Sequence, residues 1–142
     1  MTASERPVPQ PDELSEPYWE AAARHILSIA RCSSCGTFNH PPDGVCMACG
    51  STTPRFAFTP VSGTGVIRSW TMVRQSFLPG FDAMVPYLLV DVELDEQPGL
   101  RLVARLLGEV PSDLHIGNRV RTTFEEIAPG VAVPAFEFDE PL

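Results

Sequence analysis

The four cysteines of the chain form two matched pairs, Cys32-x-x-Cys35 and Cys46-x-x-Cys49, and a glycine follows each pair. A C-x-x-C turn directs two thiolates at one atom, and two such turns complete a tetrahedral set of four sulfurs. The glycine after each pair allows the backbone to turn tightly behind the cysteines. The sequence therefore predicts a structural zinc site held by all four cysteines, with no coordination position left open for catalysis.

Other interpretations of the cysteines stay open. An iron centre of the rubredoxin type uses similar ligand spacing, so the ligands alone do not exclude it. Two disulfides would require an oxidising compartment, but residues 1–11 are polar and proline-rich and lack the apolar core of a secretory signal. A single C-x-x-C can act as a redox pair, although two matched pairs fit that chemistry poorly. The expected location is the cytoplasm.

The charge balance restricts the classes of partner. The 142 residues carry a formal net charge of −8, and all ten basic residues are arginines. A protein that binds nucleic acid usually presents a basic face, so the acidic balance argues against that class. The apolar runs are short and strand-like, so no membrane span is expected.

The first 30 residues predict a flexible leader at 1–13 and a helix at 14–30. Three prolines alternate with polar residues in the leader, and Ser15 is a suitable N-cap for the helix. Apolar side chains then recur at helical spacing and form a stripe: Trp19, Ala22, Ala23, Ile26, Leu27 and Ala30. This stripe has to pack on its own domain or on a partner chain, and the sequence leaves both possibilities open.

The remaining residues predict a zinc ribbon at 31–58 and a barrel domain at 59–142. Alternating apolar residues in the second part predict five strands, at 66–74, 87–94, 100–107, 119–127 and 131–138. One helical turn is expected between the third and fourth strands, which is the element order of an OB-fold. The predicted fold class is mainly β: an N-terminal helix, a zinc ribbon and a five-stranded OB-fold barrel.

Five side chains are candidates for contact with a ligand or partner. Simple alternation places Arg68, Trp70 and Arg74 on one face of the first barrel strand, and Phe77 and Phe81 lie in the apolar loop that follows it. Arginines could contact phosphates, and the aromatic side chains could form an apolar wall. The alternatives are a solvated face for the arginines and a capped barrel end for the phenylalanines.

An ordered set of motifs resembles one known family from about residue 14 to residue 138. The matching motifs are Tyr18-Trp19, Arg31-Cys32-x-x-Cys35-Gly36, Pro41-Pro42, Cys46-x-x-Cys49-Gly50, Ser62-Gly63-x-Gly65-x-Ile67-x-Ser69-Trp70-Thr71, Val85-Pro86-Tyr87, Val92-Glu93-Leu94, Ile116-Gly117-x-x-Val120 and Phe124-Glu125. They resemble the acyl-CoA-associated family that joins an N-terminal helix, a rubredoxin-like zinc ribbon and an OB-fold, long catalogued as a domain of unknown function.

The resemblance implies a function. Members of that family are typically non-catalytic partners of thiolase-fold enzymes and help to shape the acyl-CoA channel. A similar member is fused to a hydratase and pairs with a thiolase-like aldolase of the lipid-transfer-protein type in bacterial steroid side-chain degradation. There the aldolase cleaves a steroid acyl-CoA by a retro-aldol step. The resemblance thus implies a hetero-oligomer with such an aldolase, and an acyl-CoA at the shared site.

Two other classes of function stay as alternatives. A zinc ribbon and an OB-fold also occur together in nucleic-acid-binding proteins, where Trp70, Phe77 and Tyr87 could stack on bases. The chain could also be an enzyme or acyl carrier that acts alone. However, no G-x-S-x-G motif occurs, and the three histidines fall in separate segments.

Overall fold

A computed structural model describes residues 6–139. Residues 1–5 of the predicted leader and residues 140–142 of the predicted barrel domain lie outside the described residues. Over the described range the chain is mostly β, as predicted, with one short helix. The elements are α1 (Glu16–Ala23), β1 (Ser28–Arg31), β2 (Phe38–Asn39), β3 (Ala57–Pro60), β4 (Thr64–Val73), β5 (Tyr87–Leu94), β6 (Arg101–Leu106), β7 (Arg119–Ala128) and β8 (Val131–Phe138).

The N-terminal helix is shorter than the predicted span of residues 14–30, and that prediction is wrong beyond Ala23. His25 takes a left-handed conformation, with φ of 62°, which a right-handed helix cannot contain. The following residues form β1, which pairs with β2 on one side and β3 on the other. A short apolar run fits a buried strand as well as a helix, and only these neighbouring strands distinguish the two.

Helix α1 buries its apolar face on its own chain. Tyr18, Ala21 and Ala22 are buried, and the helix packs against β8 and β1. The ring of Tyr18 stacks on His40, with 5.3 Å between the ring centroids. Among residues 6–139 no helix is long and apolar enough to cross a membrane.

The strands form two sheets. The ribbon, which we define from the structure as residues 28–60, is a three-stranded antiparallel sheet in the order β2–β1–β3. The barrel, residues 64–138, closes in the order β4–β5–β6–β8–β7, with β7 returning to β4. Strands β6 and β8 are parallel and the other barrel neighbours are antiparallel. This closed five-stranded barrel confirms the predicted fold class.

The ribbon and the barrel share a core and are also joined by one side chain. Ile29 of the ribbon, and Leu27 just before it, belong to the same buried apolar cluster as the barrel interior. The side-chain amide of Gln97, in the β5–β6 turn, forms hydrogen bonds with both the N–H and the carbonyl of Phe38. The Phe38 N–H donates to Oε1 at 2.8 Å, and Nε2 donates to the Phe38 carbonyl at 3.0 Å. The predicted division of the chain at residues 31 and 59 stays a prediction.

Candidate functional site

The four cysteine sulfurs converge at one end of the ribbon and all lie within 4.8 Å of one another. Cys32 Sγ lies 3.9 Å from Cys49 Sγ, and Cys35 Sγ lies 3.7 Å from Cys46 Sγ. Four sulfurs placed tetrahedrally about 2.3 Å from a zinc ion would be about 3.8 Å apart. The four cysteines are therefore positioned to bind one metal ion.

Backbone N–H groups point at the first sulfur of each pair. The Ser34 N–H donates to Cys32 Sγ at 3.3 Å, and the Ala48 N–H donates to Cys46 Sγ at 3.4 Å. The glycines after the pairs have φ of 80° and 75°, the left-handed conformation that favours glycine. Backbone donors, led by the Cys49 N–H, lower the pKa of Cys46 to about 6. At Cys46 these donors favour the thiolate, which is the form that binds a metal.

Asn39 supports the metal site, and the sequence analysis did not identify it. It is almost fully buried in β2. Its Nδ2 donates to Cys46 Sγ at 3.5 Å, and its Oδ1 accepts the Met47 N–H at 2.8 Å. This side chain therefore ties the strand after the first cysteine pair to the turn of the second pair. A single asparagine in a two-residue strand gives no sequence signal for that contact.

The first half of β4 carries a register shift that changes which residues share a face. The shift falls between Ile67 and Ser69 and leaves Arg68 without an opposite residue on β5. Trp70 consequently lies opposite the fully buried Val90. The predicted common face of Arg68 and Trp70 is therefore wrong, because an extra residue in a strand inverts the alternation that follows it.

Three arginines on β4 and β6 are paired with carboxylates. Arg68 Nε donates to Glu93 Oε1 at 2.8 Å. The Gly99 N–H and Arg68 together lower the pKa of Glu93. Arg101 pairs with Asp91, and Arg105 pairs with Glu125. Arg74 differs from these arginines, since it is exposed and forms no ion pair with any described residue from 6 to 139.

The second half of β4 and the loop after it expose large apolar side chains. Among residues 6–139 this half pairs with β5 alone, since the pairing of β4 with β7 covers only residues 64–66. Trp70 is 40% exposed, Met72 and Leu78 are also exposed, and Phe77 is 88% exposed. We call these four residues the apolar edge. Exposed apolar side chains of this size are typical of a binding site where they group together on a surface.

The structure separates the two phenylalanines of the β4–β5 loop, residues 74–86. Phe77 extends into solvent, whereas Phe81 is partly buried. The Phe81 ring stacks on Tyr87, with 6.1 Å between ring centroids, and the Arg6 Cζ lies 5.6 Å from its centroid. The role of either phenylalanine in binding stays a prediction.

Two family descriptions match consecutive parts of the chain. Residues 19–55 match the family described as "ChsH2, rubredoxin-like zinc ribbon domain". Residues 58–125 match the family described as "ChsH2, C-terminal OB-fold domain". The first range holds all four cysteines, and the second holds the apolar edge.

Similar proteins come from bacteria and an archaeon. The chain is 35% identical over 133 residues to a probable enoyl-CoA hydratase alpha subunit of Thermomonospora curvata, covering 92% of this chain and 39% of that protein. It is 30% identical over 123 residues to the 3-oxo-4,17-pregnadiene-20-carboxyl-CoA hydratase alpha subunit of Mycobacterium tuberculosis, covering 87% of this chain and 37% of that protein. The chain thus spans less than two fifths of these two relatives.

A third relative and a solved structure match most of their own length. A DUF35 domain-containing scaffold protein of Methanocaldococcus jannaschii is 30% identical over 104 residues, which cover 73% of this chain and 71% of that protein. A chain of the "Ltp2-ChsH2(DUF35) aldolase" is 32% identical with a TM-score of 0.79, covering 93% of this chain and 99% of that chain. This chain therefore belongs to the ChsH2 (DUF35) family, in which a rubredoxin-like zinc ribbon is joined to an OB-fold domain.

Proposed function

We propose that this chain is a non-catalytic accessory subunit of a thiolase-fold acyl-CoA enzyme, namely an aldolase of the Ltp2 type. The observation that carries the proposal is the likeness, over 93% of this chain, to a chain of an Ltp2-ChsH2(DUF35) aldolase. The name of the scaffold relative also supports a role in assembly. The name of the mycobacterial relative supports a steroid side-chain acyl-CoA as the substrate of the complex. The reaction would then be a retro-aldol cleavage.

The metal in this proposal is a structural zinc ion. The four sulfurs fit a tetrahedral site, and the matching ribbon family is described as a zinc ribbon. Four protein ligands leave no open position, so the ion holds the shape of the ribbon and takes no part in the reaction. The partner supplies the groups that react with the substrate.

The apolar edge is the surface that the proposal assigns to the partner. Burying one large apolar side chain contributes about 1.5–3 kcal/mol, so Phe77 alone could provide a substantial part of the affinity. Arg74, between the exposed half of β4 and Phe77, has a guanidinium that the described residues leave unpaired. A guanidinium suits the phosphates of coenzyme A, so we assign Arg74 to the acyl-CoA at the shared site.

The test measures assembly with an Ltp2-type aldolase. We expect Phe77→Ala to raise the dissociation constant at least about tenfold, which corresponds to 1.4 kcal/mol. The unfolding free energy should change by less than about 0.5 kcal/mol, because Phe77 makes little contact with its own chain. Val103→Ala is the matched control, since Val103 is 59% exposed but lies on β6, outside the apolar edge.

Two results would contradict the proposal. One is a complex that forms equally well with Phe77→Ala and with the unsubstituted chain, which would contradict the assignment of the apolar edge to the partner. The other is the absence of a complex together with salt-sensitive binding of single-stranded DNA, which would favour the nucleic-acid class. In an assembled complex, Arg74→Ala should raise the KM for the acyl-CoA while the dissociation constant between the two proteins stays unchanged.

A further inference from the structure

Residues 6–11 belong to the predicted flexible leader, and we call them the strap. Two of them, Arg6 and Pro9, are partly buried against the folded chain. The side chain of Arg6 is only 11% exposed. Pro7 borders a groove of about 270 Å³ on the barrel, and Phe81 and Tyr87 also line this groove. Pro9 and Pro11 border a second cavity, of the same volume, beside Trp19 of α1. The strap therefore runs from the β4–β5 loop to the helix.

The guanidinium of Arg6 makes three contacts at the same place. Its Nη1 lies 3.5 Å from Glu125 Oε1 and 3.6 Å from Met84 Sδ, and its Cζ lies 5.6 Å from the centroid of the Phe81 ring. Glu125 is 15% exposed and also accepts from Arg105 Nη2 at 2.6 Å. Two of these contacts are to the β4–β5 loop, so Arg6 connects that loop to the barrel.

The backbone of the strap also approaches the loop closely at Gly80. A Cβ added to Gly80 would lie 2.5 Å from the Arg6 nitrogen and 2.6 Å from its Cα. Both distances are shorter than non-bonded atoms adopt, so the docked strap requires the absence of a side chain here. Gly80 has φ of 88°, which also favours glycine. The strap and loop thus fit together through backbone as well as side-chain contacts.

We propose that the strap is an intramolecular ligand that fixes the β4–β5 loop, with Arg6 as its positioning residue. The contacts hold Phe81 and Met84 against the barrel, while Phe77 and Leu78 stay in solvent. A loop that is already ordered loses less conformational entropy when a partner binds. The strap therefore prepares the apolar edge for assembly. This last step rests on the proposed function, whereas the ordering of the loop does not.

The first experiment uses the isolated chain and two reporter amides. The N–H groups of Met84 and Val85 donate to the Phe81 carbonyl at 2.9 and 3.2 Å, so their hydrogen exchange measures opening of the loop. Arg6→Ala should raise their exchange rates about tenfold, because a cation–π contact and a largely buried ion pair are lost together. Arg6→Lys should give a smaller rise, since it keeps the charge but not the planar guanidinium.

Arg24→Ala is the matched control. It removes the same charge from an exposed arginine at the end of α1 and should leave both exchange rates unchanged. The barrel should stay folded in Arg6→Ala, because Glu125 keeps its pairing with Arg105, and an unchanged unfolding midpoint checks this. Equal exchange rates in Arg6→Ala and the unsubstituted chain would overturn the proposal.

The second experiment measures binding to the aldolase with the same variants. We expect Arg6→Ala to weaken binding several-fold through a slower association rate, as a disordered loop must first be ordered. Phe77→Ala should weaken binding without changing the exchange rates. If Phe77→Ala weakens binding and Arg6→Ala does not, the positioning role is overturned and the proposed function stands. If neither variant weakens binding, the assignment of the apolar edge to the partner fails, and the exchange rates still decide whether the strap orders the loop. If the unsubstituted chain forms no complex, the proposed function fails.

Discussion

The ribbon and the barrel are both β-sheet units, but different interactions order them. The ribbon buries few large apolar side chains, and its cysteine turns, residues 32–35 and 46–49, have four sulfurs at their centre. The barrel closes on itself around aliphatic residues from every strand, and Phe136 is fully buried among them. A small unit without a large apolar core needs another source of stability, and a metal ion bound by the four sulfurs would supply it.

The difference between the ribbon and the barrel indicates which of the two carries the proposed binding surface. The two cysteine pairs are the most conspicuous feature of the sequence, yet a metal ion bound by all four sulfurs would have no open position for a substrate. The barrel has a large apolar core, so it does not need to bury the second half of β4. That exposed half carries Trp70 and Met72. A stable scaffold that presents exposed apolar residues is a common arrangement for binding surfaces. The unit that is less prominent in the sequence therefore carries more of the proposed function.

The largest expected effect comes from removing the metal. Metal binding to such sites contributes on the order of 10 kcal/mol, so Cys46→Ser should abolish metal binding and unfold the ribbon. Hydrogen exchange should show β1–β3 unprotected while β4–β8 keep protected amides. Metal content of the purified chain provides the second measurement.

Met47→Ser is the control for that prediction, because its side chain is exposed and next to the ligand. This variant should keep the metal. If β1–β3 stay protected in Cys46→Ser, the ribbon has sufficient core of its own, and the contrast with the barrel fails.

A core substitution gives the complementary effect on the barrel. Phe136→Ala removes a fully buried ring and should cost about 3–5 kcal/mol in the free energy of unfolding, because a cavity remains. Urea denaturation measures this loss. The folded fraction should still bind one metal ion, since the four sulfurs belong to the ribbon and Phe136 lies in the barrel. Loss of metal from the folded fraction would instead mean that the barrel holds the ribbon in shape.

The smallest effect concerns the connection between the two units. Gln97→Ala removes two hydrogen bonds to Phe38, and each contributes about 0.5–1.5 kcal/mol. The Phe38 amide should then exchange faster, while amides inside the barrel should not. Gln97→Glu should raise the Phe38 exchange rate by a smaller amount. Its carboxylate still accepts from the Phe38 N–H but cannot donate to the Phe38 carbonyl. An unchanged Phe38 exchange rate in Gln97→Ala would show that the shared core alone joins the units.

Local patterns in the sequence predicted much of the barrel. The spans predicted for β5 and β8, residues 87–94 and 131–138, agree with the structure. Their apolar residues alternate regularly, and turn residues precede each strand. The helix over residues 14–30 failed because its last apolar residues pair with β3, which lies some 30 positions later in the sequence. Local patterns carry no information about such a partner.

The candidate contact residues show the same limit. The sequence identified Arg68 as a possible phosphate contact, but Glu93 on the neighbouring strand binds it. Alternation placed Arg68 and Trp70 on one face, but a register shift in β4 separates them. The contact of Arg6 with Phe81 joins residues 75 positions apart and had no signal in the sequence.

The sequence by itself determined the metal ligands and the sheet architecture of this protein. Both depend on short-range spacing: two residues between paired cysteines, and one residue between successive inward-facing side chains. Only the tertiary structure decided that Phe77 is exposed while Phe81 is packed, and that Arg74 rather than Arg68 is unpaired within residues 6–139. These outcomes depend on residues distant in sequence, which become neighbours only when the barrel closes and the strap lies on it.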